Sequence, residues 1–286
     1  MDTTLQIVFN SLSNIALYTQ LSLGLTVFLG VFGILNFAQG DFATVGSYAI
    51  FGVVGATGVG VYAAVVAGVA AGVVLGAIFY LLIVRPLRNA PRVNQILATF
   101  GLGLILQGFV QWTFGTDQKS VAFPNRTFPV LGASIGLTTI INIAVALVLM
   151  SVLFVVLYRS GLGRRIRAVS QNPTGAALVG INVGRASVSA CVIAGMLSSG
   201  AALVILNSSL LTPTVGFESI FKAFTVVVAA GLGNLKGVLV ASVALGLVES
   251  FVQYAVNDAA GSIVGFALIV VILLFRPSGL LSARSV

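Results

Sequence analysis

The 286-residue chain has no histidine, a single cysteine and only six acidic residues. Without histidine there is no serine–histidine triad and no histidine-rich metal centre. Cys191 has no partner within the chain, so an intrachain disulfide is excluded and the redox compartment stays open. Charged residues make up 7% of the chain, against about a quarter in soluble domains. That is too little charge to solvate the surface of a particle this large. The chain carries no G-x-x-x-x-G-K-[ST] phosphate loop and no segment large enough to form a nucleotide-binding domain. Its outer loop, about residues 115–133, is too small to capture a solute by itself. A membrane enzyme is remote on these grounds.

What the chain does have is apolar length. Hydrophobic residues reach 58%, and the mean hydropathy is +1.14. Nine apolar stretches run over residues 7–31, 42–58, 62–84, 96–114, 136–158, 188–210, 221–233, 238–255 and 263–275. About 20 apolar residues suffice to cross a bilayer as a helix. The runs are continuous rather than alternating, which excludes a transmembrane β-barrel. The expected fold is all-α integral membrane, a polytopic helical bundle of about 8–9 transmembrane helices within one domain, 1–286. The second and seventh stretches are short, so they are expected to be tilted, re-entrant or broken. The opening Met1-Asp2 lacks the basic start of a cleavable signal peptide.

The net charge of +8 would suggest nucleic acid in a soluble protein. Here the positive-inside rule is sufficient cause, and no nucleic-acid partner is expected. Arg85, Arg88 and Arg92, then Arg159, Arg164, Arg165, Arg167 and Arg185, then Lys236, and last Arg276 and Arg284 alternate with the spans. Placing these on the cytoplasmic side puts eleven of the fourteen basic residues inside. Lys119, Arg126 and Lys222 then fall outside, with Asp2, Asp117, Glu218 and Asp258. Nine crossings leave the N-terminus outside; a re-entrant second stretch leaves it inside. Anionic membrane lipids are expected contacts of the basic face.

Many of the 33 glycines fall inside spans. Gly68, Gly72 and Gly76 recur every fourth residue, the spacing that lets helix backbones approach closely. Gly30-Val31-Phe32-Gly33 is echoed weakly by Gly231-Leu232-Gly233, both at an expected inward-facing turn.

Three polar features exceed what packing requires. Asn36-Phe37-Ala38-Gln39-Gly40-Asp41 lies between two apolar stretches with no ordinary loop. Either Gly33 and Gly40 permit a helix break lining an interior cavity, or Asp41 is solvated at an interfacial helix start. Glu249 is the acidic residue set well inside a late span, with Ser250 beside it and Gln253 one turn on. It reads as a coupling or selectivity group, or equally as half of a structural pair with a lysine or arginine. The cytoplasmic segment of about 159–186 contains a short helix from Ser170 to Gly180, capped by Asn172, started by Pro173 and ended by Gly180. A largely apolar two-turn helix on that face is expected to dock a partner.

These segments, in this order, resemble the LivH-type permease subunits of branched-chain amino acid ABC importers. The early motif, close to N-F-A-H-G then G-[AS]-Y, corresponds to Asn36-Phe37-Ala38-Gln39-Gly40 and Gly46-Ser47-Tyr48, with Gln39 where histidine is usual. The cytoplasmic motif corresponds to Arg167-Ala168, Gln171-Asn172, Ala176-Ala177 and Gly180-Ile181. Pro213, Gly216, Lys222-Ala223-Phe224, Gly231-Leu232-Gly233-Asn234, Gly237 and the tail 275–280 also match. The resemblance implies an inner-membrane subunit that works with a second, LivM-like permease, two LivG/LivF-like ATPases and an extracytoplasmic substrate-binding protein. It implies that ATP acts through the partner ATPases and that this chain binds no cofactor. It assigns Arg167, Ala168, Gln171, Asn172, Ala176 and Gly180 to ATPase docking. Asn36, Gln39, Gly40, Asp41 and Glu249 are expected at the translocation pathway or a helix break. Related permeases carry urea or short amides, so that substrate stays open beside leucine, isoleucine and valine.

Overall fold

A computed structural model describes residues 3–124, 126–130, 133–208 and 210–275. The tail match from Arg276 onward lies outside the described residues, as do Arg284 and Asp2.

Thirteen helices follow in order: α1 Thr3–Phe32, α2 Gln39–Thr57, α3 Val61–Phe79, α4 Arg85–Leu87, α5 Arg92–Phe114, α6 Leu137–Arg159, α7 Gly161–Gln171, α8 Pro173–Leu178, α9 Val183–Gly200, α10 Ala202–Ser208, α11 Val215–Ala230, α12 Leu235–Ala255 and α13 Asp258–Phe275. A short antiparallel hairpin, β1 Thr127–Val130 and β2 Ala133–Gly136, precedes α6 and was not foreseen. Six described runs are long and apolar enough to cross a membrane: Leu5–Phe32, Val61–Leu87, Arg92–Phe114, Leu137–Arg159, Val183–Asn207 and Leu235–Ala255. The protein is a multi-pass membrane protein.

The run from Val61 to Leu87 stays helical through Pro86 because it widens. A proline has no N–H and crowds the carbonyl four residues back, here that of Leu82. Tyr80–Val84 forms a π-helical turn, and Arg85 N–H reaches back five residues to Tyr80 O.

α1 and α9 are the central posts, with 72% of each apolar span buried, against 22% for α3–α4 and for α5. The glycine stripe explains how α3 sits so close to α9. A Cβ on Gly72 would lie 2.4 Å from Gly195 O, and one on Gly76 would lie 2.4 Å from Cys191 O. Gly68 meets Ile50 and Gly46 of α2 in the same way. The stripe is helix packing.

α1 ends on the basic face, because Ser170 Oγ of α7 donates to Gly30 O. With that face cytoplasmic, the start of α1 lies outside, which is the arrangement of the nine-crossing alternative. α2 is not a surface span. Gln39 donates to Ala194 O and Ser198 Oγ, which lie 11 and 15 residues into α9. At 1.5 Å per residue this places the start of α2 about 16–22 Å from the start of α9 on the basic face. Residues 33–38 cover the remaining depth without helix. α11 is likewise short and starts beside α2 at mid-depth, where Gly216 N–H donates to Thr44 Oγ1 at 3.0 Å. Gly33 (φ 67°) and Gly231 (φ 85°) sit just past the ends of α1 and α11, the feature the two echoed segments share.

Candidate functional site

The break between α1 and α2 is built by its own side chains. Gly33 ends α1 in the left-handed region. Asn36 Oδ1 accepts from Ala38 N–H at 3.1 Å, and Asn36 Nδ2 donates to Gln39 Oε1 at 2.9 Å. Phe37 N–H donates to Thr99 Oγ1 of α5 at 3.2 Å. The amide thus replaces the backbone bonds that the missing helical turn would have made.

Each following residue engages a different helix. Gln39 Nε2 donates to Ala194 O at 2.9 Å and to Ser198 Oγ at 2.5 Å. Its amide lies over Gly24, where a Cβ would be 2.7 Å from that nitrogen. Gly40 meets α11: a Cβ there would lie 2.0 Å from Gly216 O. Asp41 Oδ1 accepts from Gln107 Nε2 of α5 at 2.9 Å, and Gly103 leaves room for Oδ2. Asn36, Gln39 and Asp41 are all at most 1% exposed. Asp41 is therefore not a solvated interfacial residue. It sits in the first turn of α2, where the helix dipole favours a negative charge. Beside Asn36 and Phe37 lies a cavity of about 230 Å³ whose other lining residues, Leu25, Leu35, Ile220, Phe221 and Phe224, are apolar.

Glu249 belongs to a separate cluster. Its Oε1 pairs with Lys222 Nζ at 2.5 Å, and its Oε2 accepts from the Tyr18 hydroxyl. Gln253 Nε2 approaches Oε1 at 3.4 Å. Lys222 also lies 5.9 Å from the centre of the Tyr18 ring and 3.5 Å from Ser262 Oγ. Lys222 was expected on the outer side. It stands instead in the middle of α11, which begins at Val215, six residues before the apolar stretch that marked it. Hydropathy hid the first turns because Glu218 and Ser219 interrupt them.

The segment of about 159–186, expected on the cytoplasmic side, is two helices rather than one. Arg164, Arg165 and Arg167 lie within α7, and Ser170 and Gln171 end it. Asn172 caps α8, its Oδ1 accepting from Gly175 N–H at 2.8 Å, with Pro173 in the first turn. Gly180 follows at φ 83°. The named residues divide by direction. Arg167 faces inward, donating to Leu157 O of α6 and lying 5.5 Å from the Tyr158 ring centre. Ala176 is buried and Ala168 half-buried, whereas Gln171, Asn172 and Gly180 are exposed. Leu178 and Val179, 84% and 76% exposed, form the apolar tip of this face.

Two residues of the interior escaped the sequence reading. Gln20 of α1 and Asn142 of α6 are 1% exposed, and neither side-chain amide has a partner among the described residues. Their signal was a lone amide within an apolar span. So too for Gln107, Thr99 and Ser198: neutral polar side chains in spans carry less contrast than charged ones.

Helices broken at mid-depth, buried polar joints between them and a capped apolar helix on the basic face define a polytopic membrane permease. The family described as "Branched-chain amino acid transport system / permease component" matches residues 7–273, and the chain belongs to it. It is 28% identical to the high-affinity branched-chain amino acid transport system permease protein LivH of Escherichia coli K12, over 99% of this chain and 96% of that protein. It is 29% identical to the corresponding BraD protein of Pseudomonas aeruginosa, over 99% and 97%. A probable LivH of Methanocaldococcus jannaschii is 28% identical over 91% and 87%. Among solved structures, PsaBC from Streptococcus pneumoniae in complex with Fab shares the fold, with a TM-score of 0.51 at 14% identity, over 94% of this chain and 91% of that one.

Proposed function

We propose that this chain is the membrane-spanning subunit of an ATP-driven importer for branched-chain amino acids. It would pair with a second, LivM-like permease, two LivG/LivF-like ATPases and an extracytoplasmic binding protein. Family membership over 7–273 supports the transport role. The observation that carries the division of labour is α8, a capped helix that presents Leu178 and Val179 to the cytoplasmic face. An exposed apolar tip beside basic residues suits an ATPase groove.

The connections of that segment supply a mechanical route. α8 rests on the bundle through Ala176. α7, one residue before it, is tied to α6 through Arg167 and to the end of α1 through Ser170 and Gly30 O. Gly30 stands three residues from Gly33, where the break begins. A displacement of α8 on ATP binding is thereby transmitted to the α1–α2 break, and from Gln39 to α9. ATP itself is bound by the partners, not by this chain.

The apolar lining of the cavity beside Asn36 favours an aliphatic side chain over urea or a short amide. The Lys222–Glu249 pair leaves no free charge at Glu249, which favours a driven subunit over a stand-alone ion-coupled carrier. The test is reconstitution of the full complex in liposomes with Leu178→Asp/Val179→Asp. ATP-driven leucine uptake is expected to be lost while the variant chain still inserts; undiminished uptake would overturn the docking role.

A further inference from the structure

A cavity of about 880 Å³ opens on the basic face between the α3–α4 run, the start of α5 and α7–α9. It lies within the size range of ligand sites, about 300–1,000 Å³. Arg85, Arg88 and Arg92 all line it. The two ion pairs among the described residues, Lys119–Asp117 and Lys222–Glu249, involve none of the three. Three arginines thus line one space, and among the described residues none of them is paired with a carboxylate.

The deeper wall is apolar, formed by Phe32, Phe79, Ile83 and Val84 at the cytoplasmic ends of α1 and α3. Leu81 and Leu82 of the π-helical turn and Val93 and Leu97 of α5, which neighbour wall residues in sequence, are exposed, an apolar flank suited to access from the bilayer. Cationic rim, apolar floor and access from the membrane together match one ligand chemistry. Guanidinium groups bind phosphate through paired N–H donors, and basic pockets between helices on the cytoplasmic side hold lipid headgroups.

We propose that this cavity binds an anionic phospholipid, with the phosphate on Arg85, Arg88 and Arg92 and an acyl chain against Phe79 and Ile83. The proposal rests on reading the basic face as cytoplasmic. The opposite wall carries Pro173, Thr174 and Ala177 of α8, so a bound lipid braces the docking helix against the α4–α5 turn.

The test uses the full-length purified chain in a neutral detergent, titrated with phosphatidylglycerol, phosphatidylcholine or inorganic phosphate and followed by native mass spectrometry. It therefore reads lipid binding without transport, and its outcome stands apart from that of the transport reading. Phosphatidylglycerol is expected to bind, with phosphatidylcholine and inorganic phosphate far weaker. Arg85→Gln/Arg88→Gln/Arg92→Gln is expected to lose affinity roughly a hundredfold, about fivefold for each arginine. Arg164→Gln/Arg165→Gln, on the same face but outside the cavity, is the control and is expected to bind as the parent does. Thermal unfolding without lipid shows that both variants are folded, and the basic residues from Arg159 to Arg185 preserve orientation in the triple variant. Equal losses in the two variants, equal binding of phosphatidylcholine, or displacement of the lipid by equimolar inorganic phosphate would each overturn the proposal.

Discussion

Lys222 of α11 and Glu249 of α12 form an ion pair at 2.5 Å, and the Tyr18 hydroxyl of α1 occupies the second carboxylate oxygen. Three helices are stapled by one carboxylate that is 0% exposed. Removing one partner of a buried pair strands the other charge at a cost of about 3–5 kcal/mol, whereas replacing both with apolar groups is often neutral.

Glu249→Gln and Lys222→Met are therefore expected to destabilise the purified chain strongly when made singly, and the pair Lys222→Met/Glu249→Leu to recover most of the loss. Thermal unfolding in detergent measures this. Equal instability of the double variant would show that the cluster contributes more than charge balance.

Glycine packing gives a position-specific contrast. Gly72→Ala places a methyl group 2.4 Å from Gly195 O, while Gly101→Ala and Gly108→Ala on α5 meet nothing within 4 Å. Overpacking costs about 1–3 kcal/mol, so the first variant should lower the unfolding midpoint and the other two leave it unchanged or raise it. Parallel melting curves decide.

Gln39 joins α2 to α9 through two hydrogen bonds. Gln39→Leu leaves the buried Ser198 hydroxyl and the Asn36 amide short of partners, an expected cost of about 1–3 kcal/mol. Ser198→Ala, which still permits the bond to Ala194 O, should cost less. Reversal of that order in unfolding experiments would contradict the joint described at the α1–α2 break.

The proposed docking segment gives a contrast between interface and support. Leu178→Asp is expected to leave the stability of the isolated chain unchanged, because that side chain is 84% exposed, but to abolish co-purification of the ATPases. Ala176→Asp, at a position 5% exposed, should destabilise the chain itself. Co-purification and melting of both variants, measured together, test the division.

The spans, the basic face and the capped helix at Asn172 were legible because each has a local signal: apolar length, charge asymmetry and an Asn-Pro start. The polar segment 36–41 announced itself by its cost in an apolar setting. Its contacts did not. Whether Asp41 meets Gln107 or Glu249 meets Lys222 depends on which helices are neighbours, and pairs 66 and 27 residues apart leave no trace in a single sequence. The inward turn of Arg167 was equally hidden, since its partner is a backbone carbonyl. Hydropathy also misplaced the start of α11, where Glu218, which is exposed, and Ser219, whose hydroxyl donates to Val215 O of its own helix, interrupt the apolar run.

The central claim is that this chain carries branched-chain amino acids only as part of an ATP-driven complex. The direct measurement is uptake of labelled leucine and labelled urea into liposomes holding this chain, with and without its partner permease, ATPases, binding protein and ATP. The account predicts leucine uptake that needs every component, and no urea uptake. Leucine flux through this chain alone, or uptake of urea in place of leucine, would contradict it.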